Sequence, residues 1–124
     1  MKKAVCVMIT NGKGQVVLTT RRFQKSVGLP GGKVDDGESP REAAIREVFE
    51  ETGIELKGFL IPIYSAVCHG EVDYDTICFE AAYFGDVPGG QEEGIVSYWG
   101  NVEELLINSP FSEYNKQVIN AKVA

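Results

Sequence analysis

The sequence predicts one α/β domain, in which a mixed β-sheet packs against helices on its faces. Two observations indicate this fold class. Predicted strands come first, and one strong helix, further strands and two carboxy-terminal helices follow, an order typical of a mixed sheet covered by helices. In addition, the 124 residues are 44% hydrophobic, which is enough for one core without disulfide or metal support. We therefore expect a single domain over residues 1–124.

The amino-terminal part predicts a β-hairpin followed by a loop. Residues 3–10 and 15–21 are rich in β-branched and apolar side chains, and they flank the turn sequence Asn-Gly-Lys-Gly at 11–14. The stretch 28–32 reads Gly-Leu-Pro-Gly-Gly, a composition that neither a helix nor a central strand tolerates. The sequence thus predicts two paired strands and then a loop.

The strongest local prediction is a helix that begins after Ser39. Serine as the N-cap, Pro40 as the first helical residue and Glu42 three residues after the cap form a capping box. The helix is expected to run to Thr52 and to stop at Gly53, because glycine readily adopts the left-handed conformation of a helix end. Apolar residues at helical spacing predict its core face: Ala44, Ile45, Val48 and Phe49.

The remaining elements are predicted from composition and hydrophobic pattern. Two longer strands surround a polar loop that contains His69, and a short strand and two helices follow. These expected elements are the strands 58–68, 74–84 and 95–99 and the helices 102–107 and 113–122.

The charge of the chain limits the classes of ligand it is expected to bind. There are 12 Lys and Arg against 18 Asp and Glu, a formal net charge of −6, which argues against a protein that grips the backbone of a nucleic-acid polymer. Residues 1–34 hold seven basic and no acidic side chains, whereas residues 35–55 hold eight acidic and two basic ones. A small phosphate-bearing ligand is compatible with both parts, because a bound divalent cation reverses the local field.

The sequence predicts a cytoplasmic protein without membrane contact. No apolar run approaches the roughly 20 residues that span a bilayer. The apolar run at 4–9 is too short for a signal peptide, and no cleavage site follows it. The cysteines Cys6, Cys68 and Cys78 include no CxxC pair, so reduced thiols are expected instead of a zinc site or a disulfide framework. The sequence is compatible with a monomer or a homodimer.

Three glutamates on the predicted helix indicate a metal site. Glu47, Glu50 and Glu51 stand at positions i, i+3 and i+4, so their carboxylates share one face and repel one another. A divalent cation would remove that repulsion, and oxygen ligands without Cys or His favour Mg²⁺ or Mn²⁺ over zinc. The Leu-Pro-Gly-Gly turn at 29–32 allows close approach of the backbone, so that a carbonyl of this loop could join the ligands. Taken alone, the three glutamates are also compatible with a solvated helix face.

The spacing around these glutamates follows a longer pattern. Five residues separate Gly32 from Glu38, seven more precede Arg46, and Ile54 ends the pattern. Residues 32–54 thereby fill every position of G-x5-E-x7-R-E-U-x-E-E-x-G-U, where U is a bulky aliphatic residue. This pattern is the Nudix box, and the chain resembles the Nudix hydrolases over its whole length. The resemblance implies a Nudix-type α/β/α sandwich with a mixed β-sheet.

The resemblance also implies roles for the residues of the box. Glu50 and Glu51 would ligate the metal together with the Gly31 carbonyl, and Glu47 would bind a second metal or orient the attacking water. Arg46 and Glu38, the first glutamate of the box, would hold these carboxylates in place. The implied reaction is attack of water on a phosphorus of a nucleoside diphosphate linked to another group, with Mg²⁺ (or Mn²⁺) neutralising the developing charge.

Outside the box the chain looks most like the MutT-type nucleoside triphosphate pyrophosphohydrolases. That likeness implies a phosphate-contacting arginine at Arg22, a further acidic metal ligand that takes part in catalysis at Glu93, and a base-contacting asparagine at Asn115. Arg21 and Lys33 are basic neighbours in the same amino-terminal part and join Arg22 as candidates for phosphate binding.

Each of these assignments has a competing interpretation. Glu92 is an acidic residue next to Glu93 and competes with it as the extra ligand. Asn115 is also suited to capping the last helix, and Arg21 and Arg22 are compatible with ordinary surface charge.

The resemblance implies a small nucleotide as substrate. We expect hydrolysis of a nucleoside or deoxynucleoside triphosphate, oxidised forms such as 8-oxo-dGTP included, to the monophosphate and pyrophosphate. Dinucleoside polyphosphates are a second class of substrate to consider, because Tyr74 lies next to the region where their hydrolases carry a tyrosine. The sequence is also compatible with hydrolysis of nucleotide sugars or capped RNA, and with a non-catalytic nucleotide-binding module.

Overall fold

The protein is described by a computed structural model that covers residues 1–21, 24–107, 109 and 111–123, without the side chains of residues 24, 25 and 123. Strands and helices follow one another in nearly the expected order. In chain order they are β1 (Lys2–Thr10), β2 (Val16–Arg21), β3 (Gln24–Gly28), β4 (Gly31–Lys33), α1 (Pro40–Thr52), β5 (Ile61–Cys68), β6 (Tyr74–Ala82), β7 (Ile95–Gly100), α2 (Glu104–Ile107) and α3 (Ser112–Val123).

The strands form one mixed sheet. Its main path runs β3-β2-β1-β6-β5, while β4 pairs with β1 and β7 pairs with β2. The pairing of β1 with β6 is parallel and places Cys6 opposite Cys78, whereas the other pairings are antiparallel. The predicted mixed sheet is therefore confirmed.

Helices cover both faces of this sheet. Val7 of β1 packs into the cluster that contains α1, whereas the next residue, Met8, packs into the cluster that contains α2 and α3. Such alternation is the geometry of a strand that is buried on both sides. The same switch occurs between Cys78 and Phe79 on β6. The α/β/α sandwich expected from the sequence is thus present.

The first two strands pair at the hairpin and then diverge. Thr10 is opposite Val16 next to the turn, but farther along β1 the partner is β4, with Ala4 opposite Lys33. Meanwhile β2 pairs along its length with β7. The side-chain oxygen Oδ1 of Asn11 accepts hydrogen bonds within the turn and fixes its conformation. The divergence leaves an opening in the middle of the sheet, and this opening positions the site described below.

Helix α1 has both of its predicted ends. Ser39 Oγ accepts a hydrogen bond from Glu42 N at 3.1 Å, and Glu42 Oε1 accepts one from Ser39 N at 3.0 Å, which completes the capping box. At the other end Gly53 has a φ of 76° and its amide donates to Phe49 O at 2.9 Å. These local signals fix the direction in which the helix presents its glutamates.

Two predictions about this region are corrected. Gly31 and its neighbours form the short strand β4 where a loop was expected, because a glycine permits very close contact with β1: a Cβ on Gly31 would lie 2.1 Å from Val5 O. The core face of α1 is also rotated from the expected one. Ala43 is buried and Ile45 is 38% exposed, since the helix meets the sheet through its two small alanines, Ala43 and Ala44.

The other boundaries differ modestly. Strand β5 begins at Ile61 and not at residue 58, and Phe59 before it is 90% exposed. Strand β3 was not predicted. The cysteines are free thiols, with Cys78 buried and the other two half-buried. Across the described residues, none of the helices combines the length and the apolar character that crossing a membrane requires.

Candidate active site

A cleft with a volume of about 630 Å³ opens where β1 and β2 diverge. Arg21, Lys33 and Asn115, which were predicted as substrate contacts, all line it. Glu51 of the box lines the same cleft. The structure therefore brings basic side chains and a box carboxylate to one opening of a size typical of small-ligand sites. Arg22 lies outside the described residues.

Glu51 is the buried carboxylate of the site. It is only 6% exposed, and its Oε1 accepts a hydrogen bond from Gly31 N at 2.8 Å. Burial raises the pKa of Glu51 to about 7, while the hydrogen bond from Gly31 opposes that rise and the charge of Glu47 adds to it. The Gly31 amide and Arg21 compensate a negative charge on Glu51 only in part, so a bound cation would be favoured next to it.

Arg46 organises the carboxylates around α1. Its Nε and Nη2 donate to the two carboxylate oxygens of Glu38 at 2.8 and 2.9 Å, and its Nη1 donates to Glu47 Oε1 at 2.8 Å. Longer hydrogen bonds of 3.3 and 3.4 Å reach Glu50, and Nη2 also donates to Lys33 O at 3.0 Å. One planar guanidinium thus ties β4, the loop before α1 and two turns of α1 together.

The electrostatics follow from these contacts. Hydrogen bonds from Arg46 lower the pKa of Glu38 to about 2, and Glu38 in turn raises the pKa of Arg46. Burial raises the pKa of Glu47, although Arg46 opposes the rise and the charges of Glu50 and Glu92 add to it. Arg46 therefore stabilises the charged form of Glu38, whereas the charged form of Glu47 is disfavoured by its surroundings and would be stabilised by a cation.

Gly32, the first residue of the box, leaves room for Glu47. A Cβ on Gly32 would lie 2.5 Å from Cδ of Glu47 and 2.6 and 2.7 Å from its carboxylate oxygens. Any side chain at this position would displace the carboxylate. The glycine is thus required by close approach of a functional group and not by backbone conformation.

A second, smaller opening lies beside α1. It has a volume of about 370 Å³ and is lined by Glu47, Glu50, Gln91 and Glu92. Of the two acidic residues considered for the extra ligand, Glu92 therefore lies with the box glutamates. Glu93 lines neither this opening nor the cleft.

The predicted substrate contacts differ in their exposure and in the contacts that their side chains already make within the protein. Lys33 is exposed, and its Nζ lies 5.9 Å from the centroid of the Tyr74 ring. Arg21 at the end of β2 is exposed, and its positive charge slightly opposes the rise in the pKa of the buried Glu51. Asn115 is 5% exposed, and its Nδ2 already donates to Leu105 O and Ser109 Oγ, so it holds the connection between α2 and α3.

Several cleft residues were missed at the sequence level. Tyr114 lines the cleft, donates its hydroxyl to Thr76 O at 3.0 Å and meets the ring of Tyr64 edge to face. Cys6 and Cys68 also line it, and the pKa of Cys6 is raised by a hydrogen bond with Cys78 and by burial. Period-two alternation along β1 and β6 was the available signal, since it places Cys6 and Thr76 on the face opposite α1.

The residues present fit a hard divalent cation. The donors near α1 are carboxylate oxygens, the ligands preferred by Mg²⁺ and Mn²⁺. Four glutamates, Glu47, Glu50, Glu51 and Glu92, line the two openings. Within the described ranges, no group of three or more acidic, His or Cys side chains already stands in an arrangement that could enclose a metal ion. Arg46 currently holds two of these carboxylates, so a cation would have to compete with it.

Comparison with known proteins identifies relatives, among them one named as a diphosphatase and one as a pyrophosphohydrolase. A protein of Bacillus subtilis named "Putative 8-oxo-dGTP diphosphatase" is 36% identical over 89 residues, which cover 68% of this chain and 53% of that protein. An RNA pyrophosphohydrolase of Bartonella bacilliformis is 30% identical over 124 residues, covering 88% of this chain and 68% of that one. This chain thus spans about half to two thirds of the length of these two relatives.

A solved structure and a family description extend the likeness to the whole chain. The crystal structure of the MutT protein from Methanosarcina mazei Go1 has a TM-score of 0.78 with 27% identity, and the match covers 99% of this chain and 96% of that one. The sequence description of the NUDIX domain matches residues 1–121. The chain therefore belongs to the NUDIX domain family.

Proposed function

We propose that this chain is a cation-dependent pyrophosphohydrolase that converts a nucleoside or deoxynucleoside triphosphate, oxidised bases included, to the monophosphate and pyrophosphate. The observation that carries the proposal is the cleft itself. It joins a buried box carboxylate, Glu51, to the basic residues Arg21 and Lys33 at one opening. Such a site combines the two charges that a metal-bound polyphosphate requires. Residues 1–124 would act as one domain.

The functional residues of the box, and Gly31 before it, would have separate roles. Glu50, Glu51 and the Gly31 carbonyl would hold Mg²⁺ or Mn²⁺, with a further acidic ligand from Glu92 or Glu93. The cation would polarise the phosphoryl oxygens and lower the pKa of water. Glu47 would orient the attacking water or hold a second ion, and Arg46 would keep Glu47 and Glu50 in place through the hydrogen bonds described above.

The reaction is a hydrolysis of a phosphoric anhydride. The water oxygen forms a bond to the attacked phosphorus, the bridging P–O bond breaks, and pyrophosphate leaves with that electron pair. The proton of the water passes to a carboxylate of the site or to solvent. Arg21 and Lys33, together with Arg22, the next residue in the sequence after Arg21, would bind the phosphates that carry the developing charge.

The base would occupy one side of the cleft. We assign it to the side lined by Cys6, Thr76, Tyr114 and Asn115, away from the basic phosphate-binding residues in the sequence. Burial raises the pKa of Tyr114, so its hydroxyl stays protonated, and because that proton is donated to Thr76 O, the hydroxyl would offer its oxygen to the base as an acceptor. Asn115 would contribute its side-chain oxygen, because its nitrogen is already used in the α2–α3 connection.

A second candidate is removal of pyrophosphate from the 5′ end of a triphosphorylated RNA. It is favoured by the Bartonella bacilliformis relative, whose similarity covers 88% of this chain. The net charge of −6 favours the free nucleotide over the polymer. We further propose that the chain acts in the cytoplasm, as a monomer or homodimer, on a free nucleotide.

One experiment separates these candidates. The purified chain with Mg²⁺ is supplied with canonical triphosphates, 8-oxo-dGTP, a dinucleoside tetraphosphate, a nucleotide sugar and a 5′-triphosphorylated RNA, and phosphate and pyrophosphate are measured separately. We expect pyrophosphate and a monophosphate from a free triphosphate, and loss of turnover with retained folding in Glu50→Gln. Release of inorganic phosphate from a triphosphate, or nucleotide binding with no hydrolysis in the panel, would overturn the proposal.

A further inference from the structure

The segment 88–92, here called the docking loop, is fastened to the last turn of α1. Gly89 N donates to Thr52 O at 2.9 Å, and Gln91 N and Glu92 N donate to Glu50 O at 2.8 and 3.1 Å. The last carbonyl groups of a helix have no partner within the helix. The docking loop supplies partners for two of these groups, Glu50 O and Thr52 O. Its backbone is therefore held directly against the end of α1 that carries Glu50 and Glu51.

Gly90 makes this contact possible. A Cβ on Gly90 would lie 2.2 Å from Glu50 O and 2.4 and 2.5 Å from the carbonyl carbon and oxygen of Glu51. All three atoms belong to the backbone and cannot move aside as a flexible side chain would. Gly89 differs, because it has a φ of +94° and no atom within 4 Å of its Cβ position. A glycine is thus required at position 90 because the backbone of Glu50 and Glu51 lies too close for a side chain, and not because of a left-handed backbone conformation.

The docking loop determines which acidic residue faces the box. Glu92 lines the smaller opening with Glu47 and Glu50, and Glu93 does not. Glu92 is also the residue whose amide is bonded to Glu50 O, so its backbone is fixed directly on the helix. A shift of the loop by one residue would exchange Glu92 for Glu93.

We infer that Gly90 is a positioning residue, whose contact with the backbone of Glu50 and Glu51 fixes the docking loop so that Glu92, and not Glu93, joins the cation site. The inference rests on the proposed function, since it concerns the cation that the hydrolysis requires. Gly90 itself touches neither substrate nor cation and acts through Glu92.

The test measures Mn²⁺ affinity, which does not depend on turnover. Free Mn²⁺ is followed by electron paramagnetic resonance in titrations of the full chain and its variants. We expect Gly90→Ala and Glu92→Gln each to weaken Mn²⁺ binding about tenfold, whereas Glu93→Gln stays within twofold of the unchanged protein. Gly58→Ala is the matched control, because its Cβ meets nothing within 4 Å.

The double variant Gly90→Ala/Glu92→Gln tests whether Gly90 acts through Glu92. It is expected to bind Mn²⁺ no more weakly than the weaker single variant. Additive losses, or weakened binding in Glu93→Gln, would overturn the inference. If Gly90→Ala fails to fold, as judged by circular dichroism, Gln91→Pro replaces it; this change deletes the shorter hydrogen bond to Glu50 O, and unchanged Mn²⁺ affinity would contradict the inference.

The two proposals fail in distinguishable ways. Mn²⁺ binding that responds to Gly90 and Glu92 without hydrolysis of any nucleotide would refute the proposed function and support the positioning role. Nucleotide hydrolysis with Mn²⁺ affinity that is indifferent to both residues would refute only the positioning role.

Discussion

At Arg46 one guanidinium meets four carboxylates, two from the loop before α1 and two from α1 itself. It lies within 3.4 Å of Asp35, Glu38, Glu47 and Glu50. Its Nε and Nη2 bind both carboxylate oxygens of Glu38, and its Nη1 donates to Glu47 and Glu50. A lysine cannot reproduce this arrangement, because a single ammonium lacks the planar fork. One positive charge thus offsets only part of the negative charge of these four carboxylates, and the remainder favours a bound cation.

Glu38→Gln is expected to lower the stability of the protein at neutral pH. The pKa of Glu38 is lowered to about 2 from its usual 4.5 by hydrogen bonds from Arg46. A carboxyl with a depressed folded-state pKa contributes stability above about pH 4.5, and this contribution is lost as the pH falls towards 2. Urea unfolding at several pH values checks the prediction, with Glu103→Gln as an exposed control. A stability difference that stays constant from pH 7 to pH 2 would contradict it.

Gly32→Ala is expected to lower kcat at least tenfold while the fold survives. The new Cβ would meet the carboxylate of Glu47 at 2.5–2.7 Å. Because that carboxylate is the far end of a flexible side chain, it would move aside and lose its hydrogen bond to Arg46. Steady-state kinetics and melting temperature check the outcome, with Gly12→Ala as control, whose nearest atom lies at 4.0 Å. A variant with unchanged kcat would show that the position of Glu47 is not limiting.

At the scale of elements, both ends of α1 were predicted correctly because their signals are local, whereas its core face was predicted wrongly. The cap, the proline, the spacing of the glutamates and the final Gly53 lie within the helix or next to it. Strands β3 and β4 carry no such signals. The pairing of Gly31 with Cys6 exists only because β1 leaves β2 at that point, a property of the whole sheet that no short stretch of sequence encodes.

Ser39→Ala is expected to destabilise the protein by about 1 kcal/mol, the usual cost of losing an N-cap. The hydroxyl of Ser39 is the acceptor for Glu42 N, and its loss leaves a first-turn amide without that partner. Since the cap lies at the end of α1 far from Thr52, kcat should stay within about twofold. Thermal unfolding and steady-state kinetics test both parts, with the exposed Ser65→Ala on β5 as control. A large fall in kcat without a change in stability would contradict a purely structural cap.

The same contrast between local and distant signals applies to the site. A shared face for Glu47, Glu50 and Glu51 was predicted from spacing alone; in the structure Glu51 lines the cleft, while Glu47 and Glu50 line the smaller opening. The approach of Glu92 depends on the docking loop, which contacts α1 from almost 40 residues away along the chain. No signal in the sequence around residue 90 indicates that contact, so the sequence alone leaves Glu92 and Glu93 as alternatives.

At the scale of the whole molecule, the division of charge along the chain becomes an arrangement in space. The basic residues of the first 34 and the acidic helix that follows meet at the cleft, where Lys33 and Glu51 line the same opening. The net charge of −6 describes neither side of this opening. A polyphosphate would lie between the two charges, with its cation towards α1 and its free oxygens towards the basic side.

Lys33→Met is expected to raise KM for a triphosphate substrate about tenfold, with a smaller effect on kcat. Its ammonium lies over the Tyr74 ring, 5.9 Å from the centroid, and a hydrogen bond between an ammonium and a phosphate contributes about 1.5 kcal/mol or more. The monophosphate product lacks the outer phosphates, so its inhibition constant should change less than twofold. Lys13→Met, in the hairpin turn, is the matched control. Equal losses for triphosphate and monophosphate would instead place Lys33 beside the part that both share, the nucleoside and its α-phosphate.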